Sequence, residues 1–197
     1  MWKKHQAVVE GIYAAKQKKT FVTSRMDSAE LKYGGIPGDL HFGLTKSAGA
    51  REPMYSRGTE IFNRRQISVV SIEECEKIAA NLQIERVLPQ WLGANLVIRG
   101  FPFLTRLPSG SRIIFPTGAG LVCEGENLPC TQPGNVIQEQ YPEKKRMVSS
   151  FVKAAMGLRG IVCMVEKPGF IHPGDPATIV EYNPPHPAAS DPGSDSG

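Results

Sequence analysis

A chain of 197 residues, 41% hydrophobic and 21% charged, can bury one substantial core, which excludes a disordered or fibrous protein. Its net charge of +4, from 23 basic and 19 acidic side chains, is scattered over short clusters rather than gathered into the basic face that duplex DNA requires, so no nucleic acid partner is expected. No apolar run approaches the roughly 18 residues that span a bilayer, and "MWKKHQAVVEG" lacks an apolar segment of signal-peptide length, so the expectation is a cytoplasmic protein with no membrane partner.

In chain order, His5 to Ala14 alternates loosely and predicts a first strand; a lysine-rich turn follows, and Thr20 to Ser24 reads as a second short β run. From Tyr33 to Asn63 the chain carries "YGGIPGDLHFG" and "KSAGAREPMYSRGTE", with little helical or strand period. A loop of that length in a compact domain is usually functional or disordered, and its glycines, imidazole and arginines favour function. In "RQISVVS", the β-branched Ile67, Val69 and Val70 predict a strand. Ser71 and Glu74 then have capping-box spacing, and Ile72, Cys75, Ile78, Ala79 and Leu82 predict an amphipathic helix ending near Asn81 to Gln83.

"LGANLVIRG" predicts a short strand, and "GSRIIFP" and "AGLVCEGE" two more, parted by the turn residues Pro116, Thr117 and Gly118. After the polar loop "GENLPCTQPG", Met147, Phe151, Ala155 and Leu158 mark one helical face, with Gly157 as its stop. "RGIVCMVEKPG" predicts a buried strand, "HPGD" a turn and "ATIVEY" the closing strand. "NPPHPAASDPGSDSG" has the composition of a disordered tail. Many short strands with two clear helices predict a mostly β (α+β) domain over residues 1–182, curled into a barrel with helices packed over its ends, followed by a disordered tail over 183–197.

Three of the four cysteines, Cys75, Cys123 and Cys163, fall inside apolar or helical periodicity and read as core thiols; there is no C-x-x-C pair. Cys130 lies between two prolines in a polar loop. It reads either as a plain loop thiol or as a nucleophile, a sulfur carrier or a ligand to a soft metal such as molybdenum. In "GGIPGDLHFG", Gly34, Gly35, Gly38 and Gly43 permit close approach of backbone to a ligand, with Asp39 and His41 as hydrogen-bonding groups. A tight turn held by an Asx-type bond from Asp39 explains the same residues. The glycine spacing is neither a Rossmann nor a P-loop fingerprint. Arg51, Arg57, Arg64 and Arg65 suit a phosphate as a group, although any one of them reads as a solvated surface arginine. His172, in a turn, is given no catalytic role.

In this order, "GIPGDLHFG", "RQISVVSIEECEKI", "LGANLVIRG", "LPSGSRIIF", "GENLPC" and "LRGIVCMVEKPGFIHPGD" resemble the MOSC family, named for the C-terminal domain of molybdenum cofactor sulfurases. The likeness covers about 34–175, and is strongest to the small stand-alone bacterial members. The resemblance implies a β-barrel fold and the handling of molybdenum cofactor, the pterin (molybdopterin) whose dithiolene holds molybdenum and whose tail carries phosphate. It makes Cys130 the signature cysteine that carries sulfur as a persulfide or ligates molybdenum. It moves Gly38, Asp39 and His41 from turn toward pocket and offers the arginines to the pterin phosphate. Many relatives read "LGENL"; here Ala94 replaces the acidic residue and leaves Asn95, with Glu124 or Glu126 as alternative sources of a carboxylate.

The chain carries no recognisable pyridoxal-phosphate motif, so that cofactor is not expected and sulfur would come from a separate cysteine desulfurase, with a molybdoenzyme or cofactor as acceptor. Three functions follow from the resemblance. One is a cofactor-binding sulfur carrier with sulfurtransferase-like activity in metal-sulfur cluster or cofactor maturation. Another is a small reductase of N-hydroxylated compounds with a separate electron donor. The last is a non-catalytic module that binds pterin phosphate.

Overall fold

The computed structural model describes residues 2–17 and 20–183. The chain begins with a long strand, β1 (Trp2–Ala14), and two short ones, β2 (Ser24–Met26) and β3 (Ala29–Leu31). A hairpin of β4 (Thr45–Ser47) and β5 (Glu60–Phe62) precedes β6 (Ile67–Ser71) and helix α1 (Ile72–Leu82). Strands β7 (Leu96–Arg99), β8 (Arg112–Ile114) and β9 (Gly120–Glu126) lead to α2 (Thr131–Gln140) and α3 (Met147–Ala154). The described chain ends with β10 (Ile161–Lys167), β11 (Gly169–Ile171) and β12 (Pro176–Tyr182).

β1 decides the architecture because it pairs on both edges. Its first half, Trp2–Val8, runs antiparallel to β12, while Val8–Ile12 pairs with β7. With the order β12-β8-β9-β10-β6-β7-β1, the pairing of β1 with β12 closes seven strands into a barrel, and β2 extends from the end of β1. Among the described strands only β6 and β7 run parallel, and the crossover between them carries α1. A barrel closed in this way leaves few unpaired strand edges.

Period-2 alternation fills the interior: Ile67 and Val69 from β6, Leu96 and Ile98 from β7, Leu121 and Cys123 from β9, and Ile161, Cys163 and Val165 from β10. β1 contributes Ala7 and Val9, then Ile12 and Ala14, a change of phase. The register shift between Val9 and Gly11 supplies the extra residue that makes this possible. Outside the wall, Val70 and Val97 form a second core with Cys75, Ile78 and Leu82 of α1, Ile137 of α2 and Phe151 of α3.

The predicted α1 matches, including its end, where Gln83 adopts a left-handed conformation (φ 55°). Its cap differs in part. Ser71 Oγ accepts from Glu74 N, but the Glu74 carboxylate turns inward to Thr105 instead of reaching back. Thr20 to Ser24 is not a strand except at Ser24, where β2 begins. A third helix, α2, covers residues read as part of a polar loop. The long segment 33–63 contains the β4–β5 hairpin, and the tail expected over 183–197 lies outside the described residues except for Asn183.

Candidate functional site: a cation-lined cavity around Cys130

Ser68 and Val162 face away from the barrel interior and pair directly across β6 and β10. They form part of the floor of a cavity of about 370 Å³, inside the range of about 300–1,000 Å³ usual for small-molecule sites. Its walls come from the loop at 40–42, the start of β4, the turn at Leu92 and Gly93, and the first turn of α2. Among the described residues lining it are four cations, Lys46, Arg51, Arg65 and Arg159, and no carboxylate. The field inside therefore selects for an anion.

Cys130 lines this cavity at the N-cap of α2, with extended backbone (φ −134°, ψ 178°) and a side chain that makes no capping bond. It is half-buried, whereas the other three cysteines are buried. Burial pushes the thiols of Cys75 and Cys123 up to about 12 and about 11, and that of Cys163 well above its ordinary value, so all three remain neutral. α2 is brought close by Gly134: a Cβ there would lie 2.8 Å from Val148 Cα and 2.9 Å from Val148 O on α3.

Two of the predicted arginines secure the segment before Cys130. Arg65 donates to Asn127 Oδ1 at 2.7 Å, and both terminal nitrogens of Arg51 donate to Leu128 O at 3.2–3.3 Å. Burial, followed by the nearby charge of Arg51, lowers the Arg65 pKa, against the charge of Glu52. Arg57 is exposed and Arg64 pairs with Glu124, and neither lines the cavity. The structure thus brings together two of the four arginines.

The glycine loop is likewise divided. His41 lines the cavity, while Gly38 and Asp39 do not. Asp39 is a buried clamp: Oδ1 accepts from His41 N at 2.8 Å and contacts His41 Nδ1 at 3.0 Å, and Oδ2 accepts from Ala15 N at 2.7 Å and Asn95 Nδ2 at 2.9 Å. Burial pushes its carboxyl up, but the hydrogen bonds from His41 and Ala15 outweigh this and the pKa is lowered. The bond to His41 N is the Asx-type turn read in the sequence. Asn95 lines the cavity, yet its amide is committed to Asp39, Tyr13 O and Ser68 N, which makes it a brace. Ala94 is fully buried in the helix-side core; Glu126 accepts from Gly157 N, and neither Glu124 nor Glu126 lines the cavity.

Sequence reasoning missed Arg159. It is 7% exposed, Nη2 donates to Leu92 O, and Nη1 has no hydrogen-bond partner among the described residues. Burial lowers its pKa to about 10. An arginine heading the apolar strand "RGIVCMV" was the available signal. Asn127 and Asn63 were also missed. Asn127 joins Arg65 to Ser68 Oγ, and Asn63 holds the glycine loop through His41 O and Gly43 O.

The MOSC domain model matches residues 37–178. The chain is 61% identical over 182 residues to YuaD of Bacillus subtilis (strain 168), a protein whose name refers to metal-sulfur cluster biosynthesis, covering 92% of this chain and 94% of that one. The crystal structure of the Bacillus subtilis YUAD protein superposes with a TM-score of 0.91 at 61% identity, over 93% of this chain and all of the other. YiiM from Geobacillus stearothermophilus has the same fold at 14% identity, with a TM-score of 0.59 over 89% of this chain and 75% of that one. The barrel, the ordered motifs and these matches agree, and the chain belongs to the MOSC domain family.

Proposed function

We propose that this protein binds molybdenum cofactor and that Cys130 carries a sulfur atom to or from it, in cofactor or metal-sulfur cluster maturation. The observation that carries the reading is an uncapped thiol in a cavity lined by four cations and no carboxylate. The residues fit the group. A pterin with a phosphate tail is anionic, the cavity has the volume of a small-molecule site, and the buried Arg159 leaves Nη1 unpaired. Arg159 and His41 would hold the anionic cofactor, while Arg51 and Arg65 secure the Cys130 segment. The bound cofactor would supply a molybdenum centre able to take sulfur.

In the loading step, the Cys130 thiolate attacks the terminal sulfur of a donor persulfide. The donor S–S bond breaks, the donor thiolate leaves with the electron pair, and Cys130 holds the persulfide with no net oxidation. The donor would be a cysteine desulfurase and the acceptor a molybdoenzyme or its cofactor. The test is mass spectrometry after incubation with a cysteine desulfurase and cysteine. A reducible gain of one sulfur at Cys130, absent in Cys130→Ala, is expected. A protein that gains none sinks the carrier role and leaves direct contact of Cys130 with the metal, to be tested by cofactor retention in the same variant.

A further inference from the structure

Two exposed apolar side chains, Leu40 at 39% and Phe42 at 44%, line the cavity. Leu44, Phe62 and Leu128 are each 53% exposed. They lie on segments that border the cavity: Leu44 is two residues beyond the lining residue Phe42; Phe62 pairs with the lining residue Thr45; and the Leu128 carbonyl takes both Arg51 bonds just before Cys130. Exposed apolar side chains on the segments bordering one cavity mark an interaction surface. The scaffold beneath is fixed, with the glycine loop held at one end by Asp39 and at the other by Asn63. The surface is thus formed before any partner arrives.

Resting on the reading of Cys130 as a sulfur acceptor, we propose that this rim docks a partner protein that presents its cysteine on a loop mixing apolar and acidic side chains. Charge complementarity selects the acidic class: the described lining holds Lys46, Arg51, Arg65 and Arg159 and no carboxylate, Arg57 is exposed on the neighbouring segment, and of the carboxylates there Glu52 is held by Lys46 at 2.7 Å and Glu60 by the Thr45 hydroxyl at 2.7 Å. A second copy is disfavoured because two such rims bring like charges together.

The test uses the full chain and chromogenic mixed disulfides between an aryl thiol and a cysteine peptide. One peptide flanks its cysteine with leucine and glutamate, and the other replaces glutamate by lysine. The Cys130 thiolate attacks the peptide sulfur, the disulfide breaks, and the aryl thiolate leaves and is read by absorbance. At low salt the acidic peptide is expected to react about tenfold faster than the basic one, an advantage lost at high salt. Arg57→Glu should erase that advantage, and Phe62→Ser and Leu44→Ser should slow both peptides. All four proteins should react equally with a small neutral aryl disulfide, which needs no rim.

Equal rates for the two peptides in the wild type, or variants that slow the small disulfide as much as the peptides, would overturn the proposal. So would a wild-type dimer in sedimentation that Phe62→Ser dissociates, since the occupant would then be a second copy. The two readings fail separately. Peptide selectivity without persulfide formation removes the carrier role alone, and persulfide formation without selectivity removes the docking surface alone.

Discussion

Arg159 shows what a buried cation costs and what it is ready to bind. Its guanidinium is withdrawn from water with one nitrogen on Leu92 O and the other unpaired, an arrangement unfavourable to the protein alone and favourable once an anion enters. Phosphate is therefore expected to raise the melting temperature of the wild type, by about 2.7 kcal/mol of stability at a hundredfold excess over its dissociation constant. Arg159→Met should lose that response while melting no lower than the wild type in phosphate-free buffer; a scanning thermal melt of both proteins with and without phosphate checks this. Asp39 has the opposite role, filling its hydrogen-bonding capacity with protein partners. Asp39→Ala would strand buried donors on Ala15 and Asn95 and should cost about 1–3 kcal/mol in urea unfolding. The glycine, aspartate and histidine motif was thus legible as a cluster. Its division into clamp and lining was not, because side-chain direction depends on β1 and on Asn95, more than fifty residues away in sequence.

At the scale of elements, most strands and α1 were legible because burial on one face imposes a period of two or 3.6 on the apolar residues. α2 was not. "TQPG" carries the residues of a turn, and the helix forms through it because Pro133 lies in the first turn, where no intrahelical donor is needed, and because Gly134 admits α3. That contact also sets the position of Cys130 at the head of α2. Gly134→Ala would press a methyl group into the Val148 backbone, so we expect about 1–3 kcal/mol of destabilisation. A change in the rate of Cys130 alkylation should accompany it, and the two are measured by denaturant unfolding and by timed mass spectrometry. A normal alkylation rate would mean that the α2–α3 contact does not place the thiol. The hairpin β4–β5 escaped notice for a related reason: strands of three residues are too short to display a period.

Over the whole molecule, the buried Glu74 links stability to pH. Burial raises its carboxyl from 4.5 to about 7, against the hydrogen bonds from Thr105, whose hydroxyl also accepts from Gly160 N. Because the folded value is the higher one, the folded protein holds a proton that the unfolded chain releases as pH rises above 4.5. Glu74 therefore takes stability away between about pH 4.5 and 7, by about 3 kcal/mol in total, with no further change above that window. Urea midpoints of the wild type and Glu74→Gln across this range should converge in slope toward a flatter profile in the variant. Asp39 acts in the other direction at lower pH: its lowered pKa means a contribution present above its ordinary value and lost as pH falls through the folded value.

The closure of the barrel by β1 on β12 carries a kinetic consequence. β1 finds its partner along Trp2–Val8 only when Pro176–Tyr182 has been made, so the most remote pairing among the described strands is also the one that completes the wall. Loop closure over that distance makes folding slow compared with helical proteins of this size. Until it happens, β1 offers an open edge to other chains. Chains interrupted before Pro176 should therefore aggregate rather than persist as soluble fragments, while a permuted chain that joins the two strands by a short turn should fold faster than the natural order.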